Sequence, residues 1–313
     1  MINKFNEIQR VLAGAKSVLL VGHPKADGDC LGAFAAMADY LIHLGKKCAV
    51  AVSEEVPADF DFLPHLEKFF VAEGGFRKDN YDVILALDAS NLERAGLTEF
   101  LEEEEGPVII NIDHHITNDG EGDVCLIKNV SSTCEIIYDF FRHINYDFDS
   151  KVATALLTGI LTDTGMFAFI NASSLTVKKA GELVARGANY NLITKRMFLS
   201  RQLPDLKLLG RLLNRIYFNE KTKILSLVLT KNDLAEEANT SSLASFLQQA
   251  KEPEIVMVLK ENENGEIKVS LRSKRVDVAS FAKKLGGGGH KLAAGFSVDG
   301  SLVERENGGW RIE

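Results

Sequence analysis

Apolar positions in the first half of the chain fall into two kinds of stretch that take turns. Residues 17–22, 47–52, 82–87 and 108–112 are short continuous apolar runs. A run without alternation predicts a strand buried on both faces, as in a parallel sheet. Between and after them the apolar spacing is helical. Phe5, Ile8, Val11 and Leu12 mark a helix over 4–15, and further helices are expected over about 31–44, 131–143, 150–161 and 173–186. Gly45 suits the C′ position of the second, and Glu135 in the first turn of 131–143 follows a Ser/Thr start. Strands alternating with helices predict an α/β fold, a mostly parallel sheet flanked by helices.

The pattern changes after about residue 195. A helix over 206–216 leads into shorter strands at 223–230, 254–260 and 266–271, the last two joined by Asn262-Glu263-Asn264-Gly265, a turn signal. Ile267-Lys268-Val269-Ser270-Leu271 alternates, as in a half-exposed strand. A short helix over 277–284 precedes Gly286-Gly287-Gly288-Gly289-His290. A boundary is expected between 190 and 205, giving a larger domain over 1–192 and a linker helix with a smaller α/β domain over 193–313. The acid run Glu102 to Glu105 reads as a solvated loop or helix end.

The ends of the apolar runs carry the chemistry. His23, Asp27 and Asp29 follow the first, Asp88 the third, and Asp113, His114 and His115 the fourth, while Asp163 ends an apolar helical stretch. In open α/β sheets ligands sit beyond the carboxyl ends of the strands. Buried Asp and His cost free energy unless paired or metal-bound. The expectation is that these stretches meet at one metal centre. His23, Asp27, Asp29, Asp88, His114 and Asp163 supply two imidazoles and four carboxylates, with no thiolate. That set favours Mn²⁺, Mg²⁺ or Fe²⁺ over structural zinc. Six ligands are too many for one ion that keeps water. They suit two ions about 3.5–4 Å apart, bridged by a carboxylate. A single Asp after a strand, taken alone, is more often an N-cap or turn former.

Bulk properties narrow the class. The 313 residues are 46% hydrophobic and 26% charged, ordinary for a globular chain of about two domains. A net charge of −8 argues against duplex nucleic acid as a partner but leaves short anionic ligands open. Cys30, Cys48, Cys125 and Cys134 form no C-x-x-C pair and read as reduced, mostly buried thiols. The first residues lack a signal-peptide core and no apolar run approaches a bilayer span, so a cytoplasmic protein without membrane contact is expected.

Taken together the motifs resemble those of the DHH phosphoesterase superfamily. They are Gly22-His23-Pro24-x-x-Asp27-Gly28-Asp29, Leu87-Asp88-Ala89-Ser90, Asn111-Ile112-Asp113-His114-His115 and Thr158-Gly159-Ile160-x-Thr162-Asp163-Thr164-Gly165. Gly286 to His290 resembles the glycine-rich signature of the DHH-associated domain, so the likeness spans nearly the whole chain. The resemblance implies that His23, Asp27 and Asp88 hold a first metal and Asp29, Asp88, His114 and Asp163 a second, with Asp88 bridging and Mn²⁺ the expected ion. It implies that His115 faces the phosphate and that Asp113 orients a histidine or loop amide.

Gly287, Gly288, Gly289 and His290 alone are consistent with a flexible linker or a backbone cradle for an anion. The family places this loop, with Arg272 and Ser273, against the nucleotide in a cleft between the domains. Ser132, at a predicted helix start, fits a phosphate contact and an ordinary cap equally. The compact two-domain form points, within the family, to manganese-dependent hydrolysis of short oligoribonucleotides or pAp, as in bacterial oligoribonuclease/pAp phosphatases. A cyclic di-AMP or linear dinucleotide phosphodiesterase is the alternative. A non-catalytic nucleotide-binding module would be expected to lack part of the ligand set. A polyphosphate hydrolase would need a basic channel, for which Arg196, Arg201, Lys207 and Arg211 are candidates. A homodimer is compatible with the sequence.

Overall fold

A computed structural model describes residues 2–72, 81–97, 106–199, 203–234, 243–262, 264–304 and 310–313. Glu102 to Glu105, Arg201 and Glu263 lie outside the described residues. The chain divides into two compact units, Met1–Ser200 and Arg201–Glu313.

The first unit runs α1 (Ile2–Gly14), β1 (Ser17–Val21), α2 (Gly28–His43), β2 (Lys47–Val52), β3 (Phe69–Val71), β4 (Val83–Leu87), β5 (Val108–Asp113), β6 (Val124–Ile127), α3 (Thr133–His143), α4 (Ser150–Asp163), α5 (Ser174–Ala185) and α6 (Tyr190–Ile193). A π-helical segment, Thr194–Leu199, ends it. Its strands form one parallel sheet in the order β3-β2-β1-β4-β5-β6. The order reverses between β1 and β4, the kind of switch point beyond whose carboxyl strand ends open α/β sheets have their ligand crevice.

The continuous apolar runs are buried on both sides. Val18, Leu20, Val50, Leu85, Leu87, Ile110 and Ile112 face the core under α1 to α4. Leu19, Val21, Ala51, Ile84, Ala86 and Ile109 face a second cluster closed by Ala89, Leu92, Ala95 and Leu97. The period of two along each strand thus serves two cores. α2 starts three residues earlier than its apolar spacing suggests. Asp27 caps it, accepting from Asp29 N at 3.0 Å and Cys30 N at 3.2 Å, so Asp29 and Cys30 belong to its first turn.

The second unit runs α7 (Leu203–Leu213), β7 (Tyr217–Asn219), β8 (Ile224–Leu229), α8 (Lys231–Leu234), α9 (Leu243–Leu247), β9 (Ile255–Glu261), β10 (Glu266–Ser273), α10 (Val278–Lys284), β11 (Gly288–His290), β12 (Ala293–Asp299), β13 (Leu302–Glu304) and β14 (Trp310–Ile312). A mixed sheet has the order β11-β12-β10-β9-β8-β7, with β8 and β9 parallel and the other pairs antiparallel. Leu208, Leu212, Leu243 and Leu247 cover one face and Val278 and Ala282 the other. Gly265, at φ +81°, lies in the turn between β9 and β10. Among the described residues no helix is long and apolar enough to cross a membrane.

Candidate metal centre

The polar residues beyond β1, β4 and β5 converge above the β1/β4 crevice. Asp88 is at their middle, 2% exposed. One of its oxygens lies 3.6 Å from His23 Nε2 and the other 3.4 Å from His114 Nε2. His23 Nε2 is also 3.8 Å from Asp27 Oδ1. His114 Nε2 reaches Asp163 Oδ2 at 3.3 Å and Asp29 Oδ2 at 4.0 Å. All six residues expected as ligands therefore share one site. Asp163 arrives on the last turn of α4, beside the three strand ends.

The strand exits are bent to make this possible. Asp88 and Ser90 have φ of +56° and +62°, a conformation that costs a side-chain-bearing residue about 1–3 kcal/mol. It is held by Asp88 N donating to Ile112 O at 3.1 Å and Ser90 N donating to Asp113 Oδ2 at 3.0 Å. Asp29 is held differently. Thr133 N and Cys134 N donate to its two oxygens at 2.6 and 2.9 Å, so a buried carboxylate sits at the α3 N-terminus. Gly159 makes room for it, since a Cβ there would lie 2.4 Å from Asp29 Oδ1 and from Cys134 Sγ.

Asp113 and the histidines beside it form the orienting layer. Asp113 Oδ1 accepts from His114 N at 2.7 Å, His115 N at 3.1 Å and His115 Nδ1 at 2.8 Å. Asp113 Oδ2 accepts from Asn118 Nδ2 at 2.7 Å as well as from Ser90 N. With its lone pairs occupied, Asp113 orients the loop and the His115 ring. His23 and His114 are fixed through Nδ1, near Pro24 O at 2.8 Å and Val130 O at 3.3 Å, which turns Nε2 of each to the site.

The electrostatics fit a cation. Among the described residues, the ion-pair partners of Asp29, Asp88 and Asp163 are histidines. Burial opposes charge on His23, yet Asp27 and Asp88 outweigh it and push the imidazole up to about 11. His114 rises to about 10 because Asp88, then Asp29 and Asp163, outweigh the same burial. Burial and the neighbouring Asp88 push Asp29 up to about 7, and burial with Asp29 lifts Asp163 well above the carboxylate range. These carboxyls compete for too little positive charge, a deficit that divalent ions among oxygen and imidazole donors would relieve. Cys30 Sγ also lies near His23 and Asp88, but burial, with Asp88 adding to it, pushes this thiol well up.

Several other candidate residues have partners within their own unit. Ser132 is buried and caps α3, accepting from Glu135 N at 3.1 Å. The next two amides serve Asp29, so this helix start holds the protein's own carboxylate where a phosphate contact had been the other reading. Ser273 is buried too. Its hydroxyl donates to Glu254 O at 2.9 Å and accepts from Arg275 N and Val276 N, closing the turn after β10. The glycine run is no linker. Gly286, at φ +76°, follows α10, and Gly288–His290 is the edge strand β11. The register sets Arg272, Ala293 and His290 in one row across β10, β12 and β11. Arg272 is half-buried, and its Nη1 donates to Leu271 O at 3.0 Å. Arg196 pairs with Asp61 at 3.1 Å.

Asn118 escaped the sequence reading, and so did the bonds that Thr133 and Ser90 make to Asp88 and Asp113. Thr133 Oγ1 donates to Asp88 Oδ1 at 3.2 Å. A signal for Asn118 existed in Asn111, a fully buried amide inside an apolar strand that needs a partner. The two amides bond reciprocally at 3.2 and 3.3 Å.

Comparison with known proteins agrees with this arrangement. A family model described as the DHH family, N-terminal domain, matches residues 17–160, and one for the DHHA1 domain matches 221–307. A Thermus thermophilus protein named bifunctional oligoribonuclease and PAP phosphatase NrnA is 29% identical over 300 residues, covering 95% of this chain and 89% of the relative. The crystal structure of an exopolyphosphatase-related protein from Bacteroides fragilis superposes with a TM-score of 0.87 at 21% identity, over 98% of this chain and 94% of that one. RecJ from Thermus thermophilus in complex with Mn²⁺ gives 0.56 at 17% identity, over 95% of this chain and 52% of its own. The chain carries a DHH-family N-terminal domain followed by a DHHA1 domain and is a hydrolase of phosphoester bonds.

Proposed function

We propose that the chain is a manganese-dependent phosphodiesterase and phosphatase that hydrolyses short oligoribonucleotides to mononucleotides and pAp to AMP. The observation that carries this is the placement of Asp88 between His23 and His114 at the β1/β4 crevice, with Asp27, Asp29 and Asp163 around it. His23, Asp27 and Asp88 would hold one divalent ion and Asp29, Asp88, His114 and Asp163 a second. When bound, such ions lower the pKa of water and neutralise charge on phosphoryl oxygens. The donor set suits Mn²⁺, the ion in the RecJ structure above.

The chain's own groups do the rest. Asp113 accepts from Nδ1 of His115 and fixes the ring, which supports a role for Nε2 at the phosphate. As water adds to phosphorus and releases a proton to solvent, the P–O ester bond breaks and His115 gives a proton from Nε2 to the departing oxygen, to be regained from solvent afterwards. Thr133 and the α3 amides keep Asp88 and Asp29 aimed while charge changes hands. In the second unit, Arg272 with Gly287, Gly288, Gly289 and His290 offers a cation and backbone N–H groups to the rest of the nucleotide. The Thermus thermophilus relative's name supports the substrate, and the complete ligand set argues against a module that binds without turnover. The Bacteroides fragilis neighbour, named as exopolyphosphatase-related, keeps polyphosphate as a second reading.

The test is a panel. With Mn²⁺, the chain is incubated with labelled di- to pentaribonucleotides, pAp, cyclic di-AMP and polyphosphate. Release of mononucleotides and of AMP, faster than turnover of the other two, supports the reading. Preference for cyclic di-AMP or polyphosphate replaces the substrate, and no turnover at all overturns it.

A further inference from the structure

Asp163 is followed, after Thr164, by three consecutive residues with left-handed backbone: Gly165 (φ +53°), Met166 (+56°) and Phe167 (+67°). Two of them carry side chains, and such residues keep this conformation only where the surroundings enforce it. Here the enforcement is visible. Thr164 Oγ1 donates to Ile160 O at 2.6 Å and accepts from Phe167 N at 3.1 Å. Met166 N donates to Leu161 O at 2.8 Å and Phe169 N to Thr164 O at 3.0 Å. Asn171 Nδ2 donates to Asp163 O at 3.1 Å and to Ser131 O at 3.2 Å, tying the far end of the turn to the loop before α3.

What this braced turn presents is Phe169 and Ile170. The Phe169 ring lies against Gly165, where a Cβ would come within 2.5 Å of ring atom Cζ. The ring is thus fixed against a glycine two residues after Asp163, yet Phe169 is 43% and Ile170 91% exposed. Phe167 packs on the main core, and among the described residues neither Phe169 nor Ile170 belongs to a hydrophobic cluster. Packing therefore accounts for the braced turn's first half and not for what it displays.

We propose that Phe169 and Ile170 form an apolar platform on which the nucleobase next to the scissile phosphate stacks. This rests on the nucleotide reading above. A nucleoside phosphate carries an anion for the metal centre and, one sugar away, a flat π face. An aromatic ring accepts any base, because every base has such a face. The platform grips the base without reading its identity, as degradation of mixed short RNA requires. Polyphosphate, with no flat group, gains nothing from it.

The test compares the Mn²⁺-loaded native chain with Phe169→Ala, Phe169→Trp and Ile170→Ser on a diribonucleotide and on its analogue lacking both bases. Phe169→Ala is expected to lower the ratio of kcat/KM for the dinucleotide over the abasic analogue about ten-fold, mainly through KM. Phe169→Trp restores the ratio, and Ile170→Ser lowers it less. An unchanged ratio overturns the proposal, whether the variants slow both substrates equally or neither, since the turn then only supports Asp163. A native chain that cleaves no nucleotide fails earlier and separately, overturning the function on which the platform rests.

Discussion

Asn118 never faces the site, yet it fixes what does. It holds Asp113 Oδ2, leaving Oδ1 for the His115 ring and the two loop amides. Asn118→Ala should lower kcat about 10–100-fold with KM little changed, the usual effect of losing such an outer partner, and should cost about 1–3 kcal/mol of stability because the buried Asn111 amide loses its partner. Steady-state kinetics beside a melting curve would show it, and a change in KM alone would deny the orienting role. Asp88→Asn keeps the shape and removes the shared charge. It should cut turnover by about 10³-fold or more with a stable fold. Gly159→Ala pushes a methyl into Asp29 and Cys134, so it should cost about 1–3 kcal/mol of stability and weaken metal binding together. The convergence of the six expected ligands was legible because acid and imidazole after an apolar run have few other uses. The bonds that Ser132 and Ser273 make within the protein were not, because a hydroxyl that closes a turn and one that meets a ligand look alike in sequence.

At the scale of elements, the site depends on how α3 is seated. Glu135 in its first turn is buried and accepts from Ser131 Oγ at 2.6 Å, Thr176 Oγ1 at 3.0 Å and Lys179 Nζ at 2.9 Å. Lys179 also pairs with Asp139 at 2.7 Å. This network pins α5 to α3 and so steadies the amides that hold Asp29. Glu135→Ala should destabilise the unit by about 3 kcal/mol, because buried Lys179 keeps only one carboxylate. Burial raises the Glu135 carboxyl, but Ser131 and Lys179 outweigh it, so its folded pKa lies below the ordinary 4.5. Its contribution is therefore present above about pH 4.5 and fades as pH falls through the lower folded value. The gap in Tm between native and Glu135→Gln should narrow along that acid limb, and a constant gap would count against the linkage. Buried strands and long helices were readable from their periods. β3, β6 and β7 were not, since three or four residues show no period, and α2 began early because a cap overrode the apolar spacing.

At the scale of the molecule, one unit carries the cluster of carboxylates and imidazoles and the other a row of Arg272, Ala293 and His290. If the second unit holds the nucleotide, Arg272→Ala should raise KM for a diribonucleotide about ten-fold and spare kcat, the loss of one charge-assisted contact. An equal fall in kcat would place Arg272 in the chemistry. The parallel sheet was readable from the first 160 residues. The glycine run left a linker open beside a cradle because composition does not show its pairing with β12. The central claim is a two-ion centre built on Asp88, and the most direct measurement is the number of Mn²⁺ ions bound per chain at equilibrium, for the native protein and Asp88→Asn. Two ions in the native chain, with both weakened in the variant, is the expected result. One ion or none in a folded native chain would contradict it.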